Sequence, residues 1–183
     1  MADTYWPWRV ELNRLECEFV FFVSHVMEDN DEVLWFANAL EDRFRFLGIP
    51  IKACFLDVQD WEHGNPPKDL IRRKLAASHF FLGWISPNYL KAAKRGWVWF
   101  ELAYAELIEL SRQPSVDIKF PFILPVLRNV SVRQIGRTPW LAYVQREIER
   151  SRRGEKIEDF VERLVSKLVA YYSQEINKWE KSR

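Results

Sequence analysis

The stretch Gly96-Trp97-Val98-Trp99-Phe100-Glu101-Leu102 places a tryptophan and a carboxylate four residues apart. On a helix, positions i and i+4 share a face, so the indole of Trp97 and the carboxylate of Glu101 stand side by side. Gly96 marks the helix start close to Trp97. A carboxylate in the first turns, beside an aromatic wall, can receive a developing positive charge. The alternative is an ordinary helical glutamate favoured near the positive end of the helix dipole. For an isolated Trp-x-x-x-Glu the blander reading is the default, and the surrounding elements must decide.

Other chemistries find little support. His25, His63 and His79 have no ligand spacing, and Cys17 and Cys54 fall in apolar runs read as strands, so no metal site is expected. There is no Gly-rich phosphate loop and no nucleophile elbow. The 183 residues suffice for one domain with a proper core, and 48% hydrophobic with 29% charged residues is a globular composition. A net charge of +1 gives no reason to expect a nucleic acid or an anionic membrane as partner. Nine tryptophans imply some rings exposed at a site or an interface. Met1–Glu16 has no apolar signal-peptide core and no stretch reaches transmembrane length, so a cytoplasmic protein with free thiols is expected.

The elements that must position Glu101 alternate in type. Cys17–Val23 is apolar, aromatic and β-branched, the pattern of a buried strand. A polar loop, Ser24–Asp31, leads to a helix over Asp31–Phe46, whose Val33, Phe36, Ala37, Leu40 and Phe44 form a core-facing stripe ended by Gly48 and Pro50. Ile51–Leu56 is a second strand and Asp57–Asn65 a loop. Asn65-Pro66 opens a helix to about Ala77, whose Lys68, Arg72, Arg73 and Lys74 read as a solvated basic face. His79–Ile85 is a third strand, Ser86–Leu90 a turn, and Trp97–Arg112 the helix carrying Glu101. Phe120–Leu127 is a fourth strand whose Pro121 and Pro125 argue for an edge position or a strand end. Trp140–Val144 is read as a short fifth strand. The last helix has a continuous apolar face from Ile157 to Tyr172. Residues 1–16 form an arm, 17–175 the domain and 176–183 a tail.

Apolar strands alternating with helices predict a parallel sheet covered on both faces. Ligands of such folds bind outside the carboxyl ends of the strands. The polar segments Ser24–Asp31, Asp57–Asn65, Ser86–Leu90 and the loop after Leu127 all leave strand C-termini, and the Trp97 helix starts just beyond the third strand. A site is therefore expected where they converge.

In this order, Phe22-Val23-Ser24-His25 with Glu28-Asp29, Phe55-Leu56-Asp57 with Gly64, Ile85-Ser86-Pro87-Asn88-Tyr89-Leu90, Trp97-x-x-x-Glu101-Leu102 and Ile123-Leu124-Pro125-Val126 resemble a Toll/interleukin-1 receptor (TIR) domain. The resemblance runs from about Glu18 to the last helix and is strongest to the TIR domains of prokaryotic immune effectors. It implies an α/β, flavodoxin-like three-layer sandwich with a parallel sheet of about five strands in the order 2-1-3-4-5. Enzymatic members cleave the nicotinamide–ribose bond of NAD+ with a glutamate at the position of Glu101; adaptors of the family often lack it and act only through TIR–TIR contact.

The resemblance further implies that Trp97 walls the ribose and that the Phe22–Met27 loop, with Ser24, His25 and Val26, lines the nicotinamide side. Some relatives carry arginines where this chain has Val26 and Met27. His25 is then either a substitute donor or a solvent-exposed loop histidine. Phe55 and Asp57 end the second strand, Glu62 matches a ligand-contacting acidic position, and Trp61 stacks on a base or docks on a neighbouring subunit. NAD+ is substrate rather than cofactor, and no cofactor is expected. Expected partners are a second copy of the chain and an effector that senses the product. A non-catalytic interaction module and a nucleoside or base-exchange transferase are the alternatives.

Overall fold

The computed structural model describes residues 17–49, 51–56, 67–92, 97–112, 121–136 and 138–181. The strands are β1 (Phe19–Ser24), β2 (Lys52–Leu56), β3 (Ser78–Ile85), β4 (Ile123–Leu127) and β5 (Glu149–Arg150). The helices are α1 (Asn30–Phe46), α2 (Pro67–Ala76), α3 (Pro87–Ala92), α4 (Trp97–Ser111), α5 (Val132–Ile135) and α6 (Ile157–Lys181). The sheet order is β2-β1-β3-β4-β5 and every pairing is parallel. This is the flavodoxin-like α/β sandwich that the resemblance implied.

All residues of β1 and β3 are buried, because helices cover both faces of the sheet. Alternation assigns their side chains. Phe22, Phe81 and Ile85 pack with α2 and α4 residues such as Ile71, Leu102 and Ile108. Val23, Phe80 and Trp84 pack with α1 and α6 residues such as Phe36, Leu40, Phe160 and Leu164. The predicted stripe on α1 is buried throughout. Gly48 takes φ 68°, and the amides of Gly48 and Ile49 donate to the carbonyls of Arg45 and Phe44. That pattern is a Schellman termination, which needs a residue at ease in left-handed conformation.

Three expectations are corrected. Trp140–Val144 is not a strand: Pro139–Arg146 is a 3₁₀ helix, and the fifth strand is Glu149–Arg150. The apolar run reflects packing of Trp140, which is 1% exposed, while Leu141 faces solvent. Ser86–Leu90 is not merely a turn: Ser86 caps α3 by accepting the Tyr89 amide at 2.9 Å, and Pro87 takes the first helical position. β4 is interior rather than an edge strand, yet its proline is placed as the rule requires. The Pro125 carbonyl accepts from the Ile148 amide, so its nitrogen faces the β5 side, where pairing starts only at Val126. α6 continues without a break to Lys181.

α4 is fixed along its length. Arg112, 2% exposed, donates to the carbonyls of Ala76 and Ser78 at 2.7 Å each and stacks on Phe122. Glu109 accepts the amides of Phe122 and Ile123 at 2.9 and 3.0 Å and pairs with Arg146 at 2.6 Å. The helix that carries Glu101 is thus held against β3 and β4 by bonds to the backbone.

Candidate active site

Glu101 lies in the second turn of α4 and is 1% exposed. A carboxylate withdrawn from water this far must be met by hydrogen-bond donors. Ser24, the last residue of β1, donates its hydroxyl to Glu101 Oε2 at 2.5 Å. Ser24 Oγ also lies 3.1 Å from the Tyr89 hydroxyl. A hydroxyl has one proton, and that of Ser24 is committed to the carboxylate, so Tyr89 donates to Ser24. The chain Tyr89 to Ser24 to Glu101 joins α3, β1 and α4 at the carboxyl ends of β1 and β3, the edge where a site was expected.

A second polar cluster holds the first in place. Asp29, 8% exposed, accepts from the hydroxyl of Ser86 and from Asn88 Nδ2 at 3.0 Å. It thereby ties the segment after β1 to the start of α3, on which Tyr89 sits. His25 is 4% exposed, with Nδ1 3.2 Å from the Val23 carbonyl oxygen and Nε2 3.4 Å from Asn30 Oδ1. It is therefore no solvent-exposed loop histidine.

Trp97 is 40% exposed and meets Phe100 edge-on with centroids 6.1 Å apart. Phe100 in turn stacks parallel to Tyr104. The Arg72 guanidinium of α2 lies over both Phe100 (5.4 Å) and Tyr104 (5.7 Å), and Lys68 lies 5.9 Å from the Phe100 ring centre. Burial raises the Tyr104 phenol above its ordinary value, against the opposing pull of Arg72. The solvated-face reading thus holds for Lys68 and Arg73, which are exposed, and is corrected for Arg72 and Lys74, which are partly buried against rings. Lys74 likewise pairs with Glu18 at 3.2 Å and covers Phe19 and Phe55.

The structure brings together Ser24, Glu101 and, by sequence adjacency, His25. Val26 and Phe55 pack into the core beneath this edge, Phe55 against Phe22 and Phe19, and both are closed to solvent. Asp57, Trp61 and Glu62 lie outside the described residues. A groove of ≈ 470 Å³ between α1 and α6, lined by Trp35, Phe46 and Val165, is on the other face of the sheet and includes no candidate residue. Sequence reasoning assigned no role to Tyr89, Asp29 or Asn88. The Ser86-Pro87 cap signature was the signal that would have fixed Tyr89 on a helix. Gly83 also went unremarked, although a glycine inside an apolar strand signals close approach of another group. Here it is the Trp140 ring.

Among the described residues no group of histidine, cysteine and acidic side chains could hold a metal ion, and no helix is long and apolar enough to cross a membrane. The chain matches none of the curated proteins with which it was compared. Among solved structures, a chain of the activated Roq1 resistosome directly recognizing the pathogen effector XopQ (TIR domains) is similar with 17% identity and a TM-score of 0.44, over 85% of this chain and 84% of that one. The TIR domain family profile matches residues 21–165. The chain, by that match over most of its length and by the 2-1-3-4-5 parallel sheet, belongs to the TIR domain family.

Proposed function

We propose that this TIR domain is an NAD+ nucleosidase, of the kind found in prokaryotic immune effectors, and that Glu101 is its catalytic residue. The observation that carries the reading is the buried Glu101 carboxylate held by Ser24 at the carboxyl edge of the strands.

Nicotinamide leaves NAD+ as a neutral base, taking the electron pair of the C1′–N bond. It therefore needs no strong general acid. The ribosyl group becomes an oxocarbenium ion, as in glycoside hydrolysis. A fixed carboxylate stabilises that charge through preorganised electrostatics, and one carboxylate suffices. In this conformation the Ser24 hydroxyl occupies Oε2, so a ribose hydroxyl replaces it when substrate binds. Trp97, one turn before Glu101 and partly exposed, supplies an aromatic face to the cation, worth about 0.5–2 kcal/mol. Attack by water gives ADP-ribose and a proton; attack by a group of the adenine gives a cyclic product.

Homotypic association belongs to the same reading. Trp99, Leu107 and Leu110 are exposed apolar residues on α4, the surface a second copy would cover, and specific activity is expected to fall on dilution.

The test is nicotinamide release from NAD+ by the purified full chain. Glu101→Ala should abolish release while circular dichroism stays unchanged; undiminished release would remove Glu101 from the mechanism. Supplying nucleosides in place of NAD+ tests the transferase alternative. The near-complete burial of Glu101 favours one further reading, in which the acid is structural and the domain acts only by TIR–TIR contact. Absence of release at any protein concentration would select it.

A further inference from the structure

The chemistry at Glu101 uses neither cysteine, and the two thiols lie in opposite surroundings. Burial, and the Glu41 carboxylate with it, hold the Cys54 thiol of β2 protonated. Cys17 is only partly buried, two residues before β1 at the amino edge of the sheet, and its thiol meets the guanidinium of Arg112. Arg112 is 2% exposed, and its terminal N–H groups reach only backbone carbonyls, those of Ala76 and Ser78 at 2.7 Å and His79 at 3.4 Å. Its Nε–H has no acceptor. The nearby acids are engaged elsewhere. Glu109 holds Arg146 and the amides of Phe122 and Ile123, and Glu18, 62% exposed, is paired with Lys74. His79 is turned to the Phe19 carbonyl and the Tyr172 ring. Arg112 is thus a buried cation that no carboxylate pairs with among the described residues.

We propose that Cys17 is a reactive thiolate with Arg112 as its counter-ion, and so a modification site for hydroperoxides and small electrophiles. A buried cation without a counter-ion is costly, and carbonyl dipoles offset only part of that cost. Cys17 is the side chain at the guanidinium that can take a full negative charge. Burial lowers Arg112 from its ordinary value, while charge on Cys17 and its hydrogen bond raise it. The same attraction acts on the thiol and favours its ionised form. Thiolate character in an electropositive, partly exposed setting is what makes a cysteine nucleophilic. The sulfur attacks one oxygen of a hydroperoxide: the S–O bond forms as the O–O bond breaks, and sulfur loses two electrons. The attacked oxygen keeps its proton, giving a sulfenic acid. The other leaves as alkoxide or hydroxide, which water protonates. The product places a new acceptor beside the guanidinium that fastens the end of α4 to the carbonyls of Ala76 and Ser78.

The test is the pH dependence of iodoacetamide alkylation in the native full chain, read by mass spectrometry of the Cys17 peptide. The midpoint of the rate, unlike its height, does not depend on how freely the reagent reaches the sulfur. It is expected at about 7.5 or lower, against about 8.5 for a free cysteine, which is about tenfold more thiolate in mildly acidic buffer. Arg112→Gln removes the charge and should return the midpoint to about 8.5 or above. Circular dichroism reports whether that variant folds; where it does not, the wild-type midpoint and the peroxide reaction decide. Hydrogen peroxide in the presence of dimedone, which traps sulfenic acids, should mark Cys17 and leave the buried Cys54 unmarked. A wild-type midpoint at or above about 8.5, the same midpoint in wild type and folded Arg112→Gln, or dimedone labelling of Cys54 equal to that of Cys17 would each overturn the proposal. None of these outcomes depends on whether the protein cleaves NAD+.

Discussion

The packing of Trp140 on Gly83 couples the core of this protein to its candidate site, and Gly83→Ala is the substitution that exposes the coupling. A Cβ at Gly83 would lie 2.2, 2.6 and 2.9 Å from Cη2, Cζ2 and Cζ3 of Trp140. Carbon atoms rest at about 3.5–4.0 Å, so the ring must retreat by about 1 Å. It has little room to do so. Trp140 stacks on Phe81 with an interplanar angle of 10° and meets Tyr89 and Tyr143 edge-on. Overpacking of this kind costs about 1–3 kcal/mol, and a rigid, enclosed indole belongs at the upper end. Alanine recovers about 0.5–1 kcal/mol in backbone entropy, leaving a net loss of about 2 kcal/mol. For a chain of this length that lowers the Tm by about 4–8 °C. Thermal unfolding followed by circular dichroism reads the loss. The double variant Gly83→Ala/Trp140→Leu supplies the control, because without the indole the methyl group has space. Its stability should exceed the sum of the single effects by about 2 kcal/mol. Displacement of Trp140 also pushes on Tyr89, so nicotinamide release should fall in Gly83→Ala even at temperatures where it is fully folded. A Tm within about 1 °C of wild type, or additive single and double effects, would refute the reasoning.

Other outcomes follow from individual contacts. Tyr89→Phe removes the donor behind Ser24, and should lower kcat roughly fivefold with KM little changed, the value of one hydrogen bond of about 1 kcal/mol. Steady-state kinetics of nicotinamide release separates the two constants. Burial alone would raise the Glu149 carboxyl, but hydrogen bonds from Lys167 and the Arg150 amide, with the charges of Lys167 and Arg163, bring it below its ordinary 4.5. Its contribution to stability is therefore complete above pH 4.5 and lost as pH falls through the depressed folded value. Urea midpoints measured against pH should show a shallower acid limb in Glu149→Gln. The Cys54 thiol is buried, which pushes its pKa up, as does Glu41. Iodoacetamide should therefore leave Cys54 unmodified in the native protein and label it in urea, as mass spectrometry of its peptide would report.

Local patterns in the chain were enough to determine the element types that dominate the fold. The apolar run of β1, the 3- and 4-residue stripe of α1 and the glycine at 48 each encode structure within a few residues. The Trp97-x-x-x-Glu101 spacing by itself encodes only a shared helix face, and it takes the order of the surrounding motifs to make Glu101 the residue to mutate first. Where the reading failed, the signal was short or ambiguous. Trp140–Val144 is an apolar run of five, and a run that short does not distinguish a strand from a 3₁₀ segment holding one buried ring.

Only the tertiary structure decided what Glu101 touches. Ser24 is 77 positions from it in sequence, Tyr89 is 65 from Ser24, and Asp29 meets Ser86 and Asn88 across 57 and 59. Such contacts depend on strand order and register, which periodicity within one element does not specify. The same holds for the cations of α2. Their sequence is that of a solvated helix face, and it is the packing of α2 against α4 that lays Lys68 and Arg72 over Phe100.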